Sequence, residues 1–183
     1  MLTLAELGPR ICIMGPSNSG KSTLAVAIGD ANGLEVVHLD RLRHLEGEYW
    51  ALRPDDEFAE LHQAAIDQDK WVMEGNYSRL LPQRLARATG FILMDVPAPT
   101  SLLRYIGRTL GYTERYGALS GVQDRLRGKM IYHLLTTAQK NRRSYKDRFA
   151  QLDMPKVLLD RPSKLDRFYQ ANQLPRRPRK GVR

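Results

Sequence analysis

Residues 15–23 read GPSNSGKST, and no other stretch of the chain restricts the fold as much. The pattern is a glycine, four residues, a second glycine, a lysine and a hydroxyl. Gly15, Pro16, Ser17, Asn18, Ser19, Gly20, Lys21 and Ser22 supply it, with Thr23 behind. The short β-branched and apolar run RICIM (residues 10–14) stands immediately before it, and KSTLAVAIGDA, rich in helix formers, follows. Strand, glycine turn and helix in that order imply backbone amides turned inward around an anion. The glycines permit the tight turn, and the helix start adds the positive end of its dipole. In such a loop Lys21 reaches the outer phosphates of a nucleotide and the Ser22 hydroxyl holds a metal ion. ATP and Mg²⁺ are therefore the expected cofactors, with all nine residues 15–23 as the binding set.

The rest of the chain alternates in the same way. Short apolar runs predict strands at residues 34–39 (ending on Asp40), 70–73 (running into Glu74), 91–95 and 156–159. Helical patterns fill the gaps at residues 55–68, 80–88, 100–110, 122–142 and 163–170. Pro54 and the acids after it open the first of these. Apolar strands separated by helices predict an α/β fold: a three-layer α/β/α P-loop kinase architecture around a five-stranded parallel sheet. One domain over residues 1–174 is expected, with a helical lid region at about 108–130 and a basic mobile tail at 175–183.

Charge sets the next limit. The chain has 29 basic and 20 acidic residues, but five of the basic ones crowd into the tail PRRPRKGVR. The body is only mildly basic, so nucleic-acid binding is expected, if anywhere, through that tail. No run approaches the length of a membrane span. The N-terminus lacks the basic leader of a secretory signal, and the lone Cys12 lies inside the first strand. These features together lead to the expectation of a cytoplasmic protein, monomeric or homodimeric.

In a parallel sheet, ligands sit beyond the carboxyl ends of the strands, so polar residues there are the candidates for chemistry. Asp40 can orient an acceptor hydroxyl, take its proton or hold water on a metal. Glu74, Gly75 and Asn76 follow the third strand; a structural turn explains Gly75 and Asn76 equally well. Asp95 closes the fourth strand as a metal-water ligand or as a simple strand end. Phosphoryl transfer also needs cations to spread the equatorial charge. Arg104, Arg108 and Arg125 are the candidates within a basic run that continues to Arg142 and Arg143. The glycines of TLGYTERYGALSG in that run suit a cover that closes and excludes water. Tyr49 and Trp50 offer rings for a base or sugar, with Arg53 near enough to take an anion.

Two other nucleotide-binding classes fit poorly. The base-reading segment of guanine-specific GTPases is absent, since residues 160–164 read DRPSK. LSGVQ at residues 119–123 approaches the signature of transporter ATPases but follows FILMD where that signature should precede a strand.

The order GPSNSGKST, HLD, WVMEGNYS, FILMDVP resembles bacterial ATPases related to adenylate kinase, some called DNA topology modulation proteins, over about residues 10–169. The resemblance implies a small kinase whose acceptor region lies between the second and third strands. Residues 15–23 would bind ATP, Asp40 would lie near the acceptor, and Glu74, Gly75 and Asn76 would line the same crevice. Arg104 and Arg108 would face the lid. Adenylate kinases carry Asp-Gly-Phe-Pro-Arg after the third strand; here the proline is missing and the arginine, Arg79, is displaced by one, which puts AMP in doubt as the acceptor and leaves Arg79 to grip an anionic substrate. The expected function is transfer of the γ-phosphoryl group of ATP to a small-molecule or nucleotide acceptor. The alternative is a nucleic-acid-associated ATPase or regulator that uses nucleotide binding as a switch.

Overall fold

Five strands hydrogen-bond side by side in the order β2-β3-β1-β4-β5, every pairing parallel. They are β1 (Arg10–Met14), β2 (Glu35–His38), β3 (Trp71–Glu74), β4 (Gly90–Met94) and β5 (Lys156–Leu159). The structure, a computed structural model, describes residues 2–45, 51–109 and 136–176, with backbone alone at Arg108 and residues 137–140. Its helices are α1 (Leu4–Leu7), α2 (Lys21–Asn32), α3 (Leu39–Arg43), α4 (Asp55–Ile66), α5 (Leu81–Arg87), α6 (Ala98–Thr109), α7 (Thr137–Gln151) and α8 (Pro162–Ala171). A 3₁₀ turn at Ser78–Leu80 leads into α5.

Side-chain alternation along β1 divides the core into two layers. Ile11 and Ile13 point to one face, where Leu24 and Ile28 of α2 and Phe168 of α8 bury them. Cys12 and Met14 point to the other, covered by Ile66 of α4 and Leu81 of α5, with Tyr145 and Phe149 of α7 packed alongside. Helices on both faces of a parallel sheet make the three-layer α/β/α arrangement expected from the alternation. Cys12 is fully buried and unpaired, as read from the strand pattern.

Two boundaries that bear on the site differ from the sequence reading. The second strand stops at His38, which pairs with Glu74 in β3; Leu39 then turns inward and begins α3. Asp40 therefore lies in the first turn of a short helix and is not the last residue of a strand. Arg142, expected to end a helix, instead lies inside α7 (Thr137–Gln151), whose later turns lay Tyr145 and Phe149 on the sheet; the expected helix before residue 136 lies outside the described residues. Of the basic tail, Arg176 bonds to Asp166 at 2.5 Å and lies over the Tyr169 ring. The lid region from residue 110 onward, Arg125, the rings of Tyr49 and Trp50, the LSGVQ segment and the tail from residue 177 lie outside the described residues.

Candidate functional site

The chain leaves β1 through the glycine loop into α2, on one face of the sheet. It leaves β3 through Gly75, Asn76 and Tyr77 toward α5, on the other face. Adjacent parallel strands whose connections diverge open a crevice between their carboxyl ends, and the polar residues of the chain converge there.

The loop is shaped by glycines that no other residue replaces without strain. Gly15 has φ +149°, and a Cβ there would stand 2.2 Å from the Met94 carbonyl oxygen. Asn18 (φ 59°) and Gly20 (φ 98°) are left-handed, and Gly20 caps α2 without a side chain. The Lys21 ammonium donates to the Pro16 carbonyl at 3.0 Å, curling over the loop. Burial pushes the Lys21 pKa below the ordinary lysine value, against the opposing pull of Glu74 and Asp40. Arg104 of α6 reaches across and donates to the Ser19 carbonyl, while the Ser19 hydroxyl is buried without a hydrogen-bond partner.

Glu74 is the hub on the β3 side. Its Oε1 accepts from the Ser22 hydroxyl at 2.9 Å and lies 2.9 Å from His38 Nδ1. Burial alone would raise the Glu74 pKa. The His38 hydrogen bond, the Lys21 charge and the Ser22 hydroxyl outweigh it, holding the carboxyl below the usual carboxylate value. Beside it, Asn76 Oδ1 accepts from the Gly15 amide at 3.2 Å, tying the turn after β3 to the glycine loop. Tyr77 donates its hydroxyl to Asp40 Oδ1 at 2.6 Å. Next come Phe58, edge-on to Tyr77, and Arg43, whose guanidinium lies over the Phe58 ring.

The structure thus brings Lys21, Ser22, Asp40, Glu74, Gly75, Asn76 and Arg104 around one crevice. Other candidates already have partners. Asp95 forms a bidentate pair with Arg142 (2.5 and 3.0 Å) and a second bond to Lys146 at 2.8 Å. Burial would raise the Asp95 pKa, and these cations hold it below the ordinary value. Arg79 is exposed and bonds Asp55 at 2.5 Å, sharing that carboxylate with Arg43 at 2.7 Å. Arg53 donates to the Leu42 carbonyl and approaches Glu57 at 3.4 Å.

Sequence reasoning passed over His38, Tyr77 and Arg84. His38 stands in the same HLD triplet as Asp40, and its signal was a polar residue where the strand enters the core. Arg84 falls three residues after Leu81, on the inward face of a helix, where a basic residue is out of place.

The oxygen set suits a hard cation shared with a phosphate ligand. Ser22 and Glu74 supply two oxygens side by side, and no cluster of three or more metal-binding side chains exists among the described residues. That matches an ion such as Mg²⁺, which takes one or two protein oxygens and completes its shell with water and phosphate. The buried, unpartnered Ser19 hydroxyl and the glycine cradle suit the phosphates themselves.

Sheet order, glycine loop and flanking helices together define a three-layer α/β/α fold around a five-stranded parallel sheet. Among solved structures, the chain is similar to a gluconokinase from Sinorhizobium meliloti 1021, with TM-score 0.54 and 15% identity over 92% of this chain and 91% of that one. It is equally similar to a shikimate kinase from Acinetobacter baumannii in complex with shikimate, with TM-score 0.54 and 16% identity over 92% and 93% of the two chains. A shikimate kinase from Bacteroides thetaiotaomicron also has TM-score 0.54, at 16% identity over 91% of this chain and 99% of that one. At such identities the likeness is one of fold. No family model and no curated protein matches the sequence.

Proposed function

We propose that the chain is a phosphotransferase that moves the γ-phosphoryl group of ATP to an acceptor hydroxyl or phosphate. The observation that carries this is the meeting of a glycine-loop lysine and hydroxyl with two carboxylates, Glu74 at the end of β3 and Asp40 in the first turn of α3, in one crevice. The fold shared with the gluconokinase and the shikimate kinases supports a small-molecule acceptor. The segments that resemble the adenylate-kinase-related ATPases, at residues 38–40 and 74–78, line this same crevice.

The loop amides and the Lys21 ammonium neutralise the outer phosphates of the donor, which become more negative at their bridging oxygen as the bond breaks. Ser22 and Glu74 would hold the metal, and His38 fixes the orientation of the Glu74 carboxylate. When bound, Mg²⁺ would supply charge neutralisation for the donor. Asp40, with one oxygen fixed by Tyr77, keeps its second oxygen for the acceptor hydroxyl, which it orients and whose proton it accepts. Arg104, anchored on the loop, adds positive charge at the donor side. The metal role read for Asp95 would require Arg142 and Lys146 to release it.

The test is incubation with Mg²⁺ and ATP labelled at the γ-phosphate, together with small hydroxylated metabolites, nucleosides and nucleoside monophosphates. The proposal expects label on at least one acceptor, and loss of about a hundredfold or more in rate for Lys21→Ala. A fully active Lys21→Ala protein would overturn it.

A further inference from the structure

Arg84 is the largest charged side chain in the core, with no exposed surface, and among the described residues no carboxylate bonds to it. A buried guanidinium without a counter-ion is costly, and an apolar side chain of similar volume would usually serve stability better. Its bonds show what it does instead. Arg84 donates to the carbonyls of Gly75 (3.4 Å), Asn76 (2.9 Å) and Tyr77 (3.1 Å), three consecutive residues.

Those same residues carry the links across the crevice. Gly75 is left-handed (φ +135°), and a Cβ on it would strike the Leu39 side chain at 2.8 Å, beside Asp40. Asn76 holds the Gly15 amide of the glycine loop, and Tyr77 holds Asp40. With its carbonyls gathered around one cation, the turn is fixed so that its side chains face the donor on one side and the acceptor carboxylate on the other. We propose that Arg84 is a positioning residue that sets the spacing between the glycine loop and Asp40 by clamping the carbonyls of Gly75, Asn76 and Tyr77. This rests on the phosphotransfer reading for its consequence, but the clamp itself is a property of the protein without ligands.

The test uses the full chain with ¹³C-labelled tyrosine, the Tyr77 ring resonance being assigned from Tyr77→Phe. Asp40→Asn marks where that resonance lies once the Tyr77–Asp40 bond is weakened. In Arg84→Lys and Arg84→Met, both checked for cooperative unfolding, the Tyr77 resonance is expected to move toward the Asp40→Asn position. Intrinsic hydrolysis of Mg-ATP should then lose roughly tenfold or more in kcat while KM for ATP changes less than about threefold, with Lys retaining more than Met. A Tyr77 resonance unmoved in folded variants, or kcat and KM following only the folded fraction, would overturn the clamp. Should neither variant fold, the wild-type ¹⁵N-arginine spectrum decides. The clamp requires guanidinium N–H signals that exchange slowly with water in the ligand-free chain, and a spectrum in which every guanidinium exchanges fast overturns the proposal. Failure of the chain to bind nucleotide by calorimetry would instead sink the phosphotransfer reading and leave the Tyr77 resonance to judge the clamp alone.

Discussion

His62 shows how one residue ties this core to pH. It is 1% exposed on α4, its Nε2 has no hydrogen-bond partner, and the Arg84 cation lies near. Burial, helped by Arg84, lowers its pKa from 6.5 to about 4. The folded chain therefore resists a proton that the unfolded chain accepts. The stability linked to neutral His62 is fully present above pH 6.5 and is lost as pH falls toward 4. The shift corresponds to up to about 3 kcal/mol. Urea unfolding at neutral pH and near pH 4.5 should show this loss, and His62→Leu should remove much of the difference between the two conditions. A variant with the wild-type pH dependence would contradict the assignment. Asp95 works with the same sign at lower pH. Its pKa is held below the ordinary carboxylate value by Arg142 and Lys146, so its pairing stabilises above that value and fades as the carboxyl protonates. Asp95→Asn should loosen α7 from the sheet, read as faster amide exchange in residues 141–151.

Among the elements, the β1–loop–α2 unit was the most legible, because its geometry is written in local residue types: two glycines where backbone must turn, a lysine and a hydroxyl at the helix start. The consequence is a strict requirement at Gly15. Gly15→Ala would place a methyl 2.2 Å from the Met94 carbonyl at φ +149°, so it should cost more than about 3 kcal/mol or prevent folding. Urea denaturation measures it, and a loss under about 1 kcal/mol would show that the loop can relax. What the sequence hid arises from register and inward-facing polar groups. That His38 pairs opposite Glu74 depends on how β2 and β3 align, which apolar runs alone do not specify. Asp40 looked like a strand end because VVHL is uniformly strand-like. The helix begins at Leu39, where the parallel pairing stops and the side chain buries against the second core layer. Arg84 was hidden because its partners are backbone carbonyls, which carry no sequence signal.

At the scale of the molecule, two packed faces flank the sheet, and the glycine loop after β1 and the turn after β3 lead to opposite faces. A ligand that spans the glycine loop and the turn after β3 would bridge both layers. Binding should therefore raise the unfolding temperature as well as occupy the site, growing with the logarithm of ligand concentration once it exceeds Kd. Thermal unfolding with increasing Mg-ATP should show a progressive rise, smaller at every concentration for Lys21→Ala. An identical rise in both proteins would mean that binding occurs elsewhere.

The account stands on the glycine loop as a grip for a triphosphate, and titration calorimetry with a non-hydrolysable ATP analogue and Mg²⁺ tests this most directly. The account predicts one site per chain in the wild-type protein, weakened about tenfold or more in Lys21→Ala. No heat of binding to the folded wild-type chain, or equal affinity in the two proteins, would contradict it.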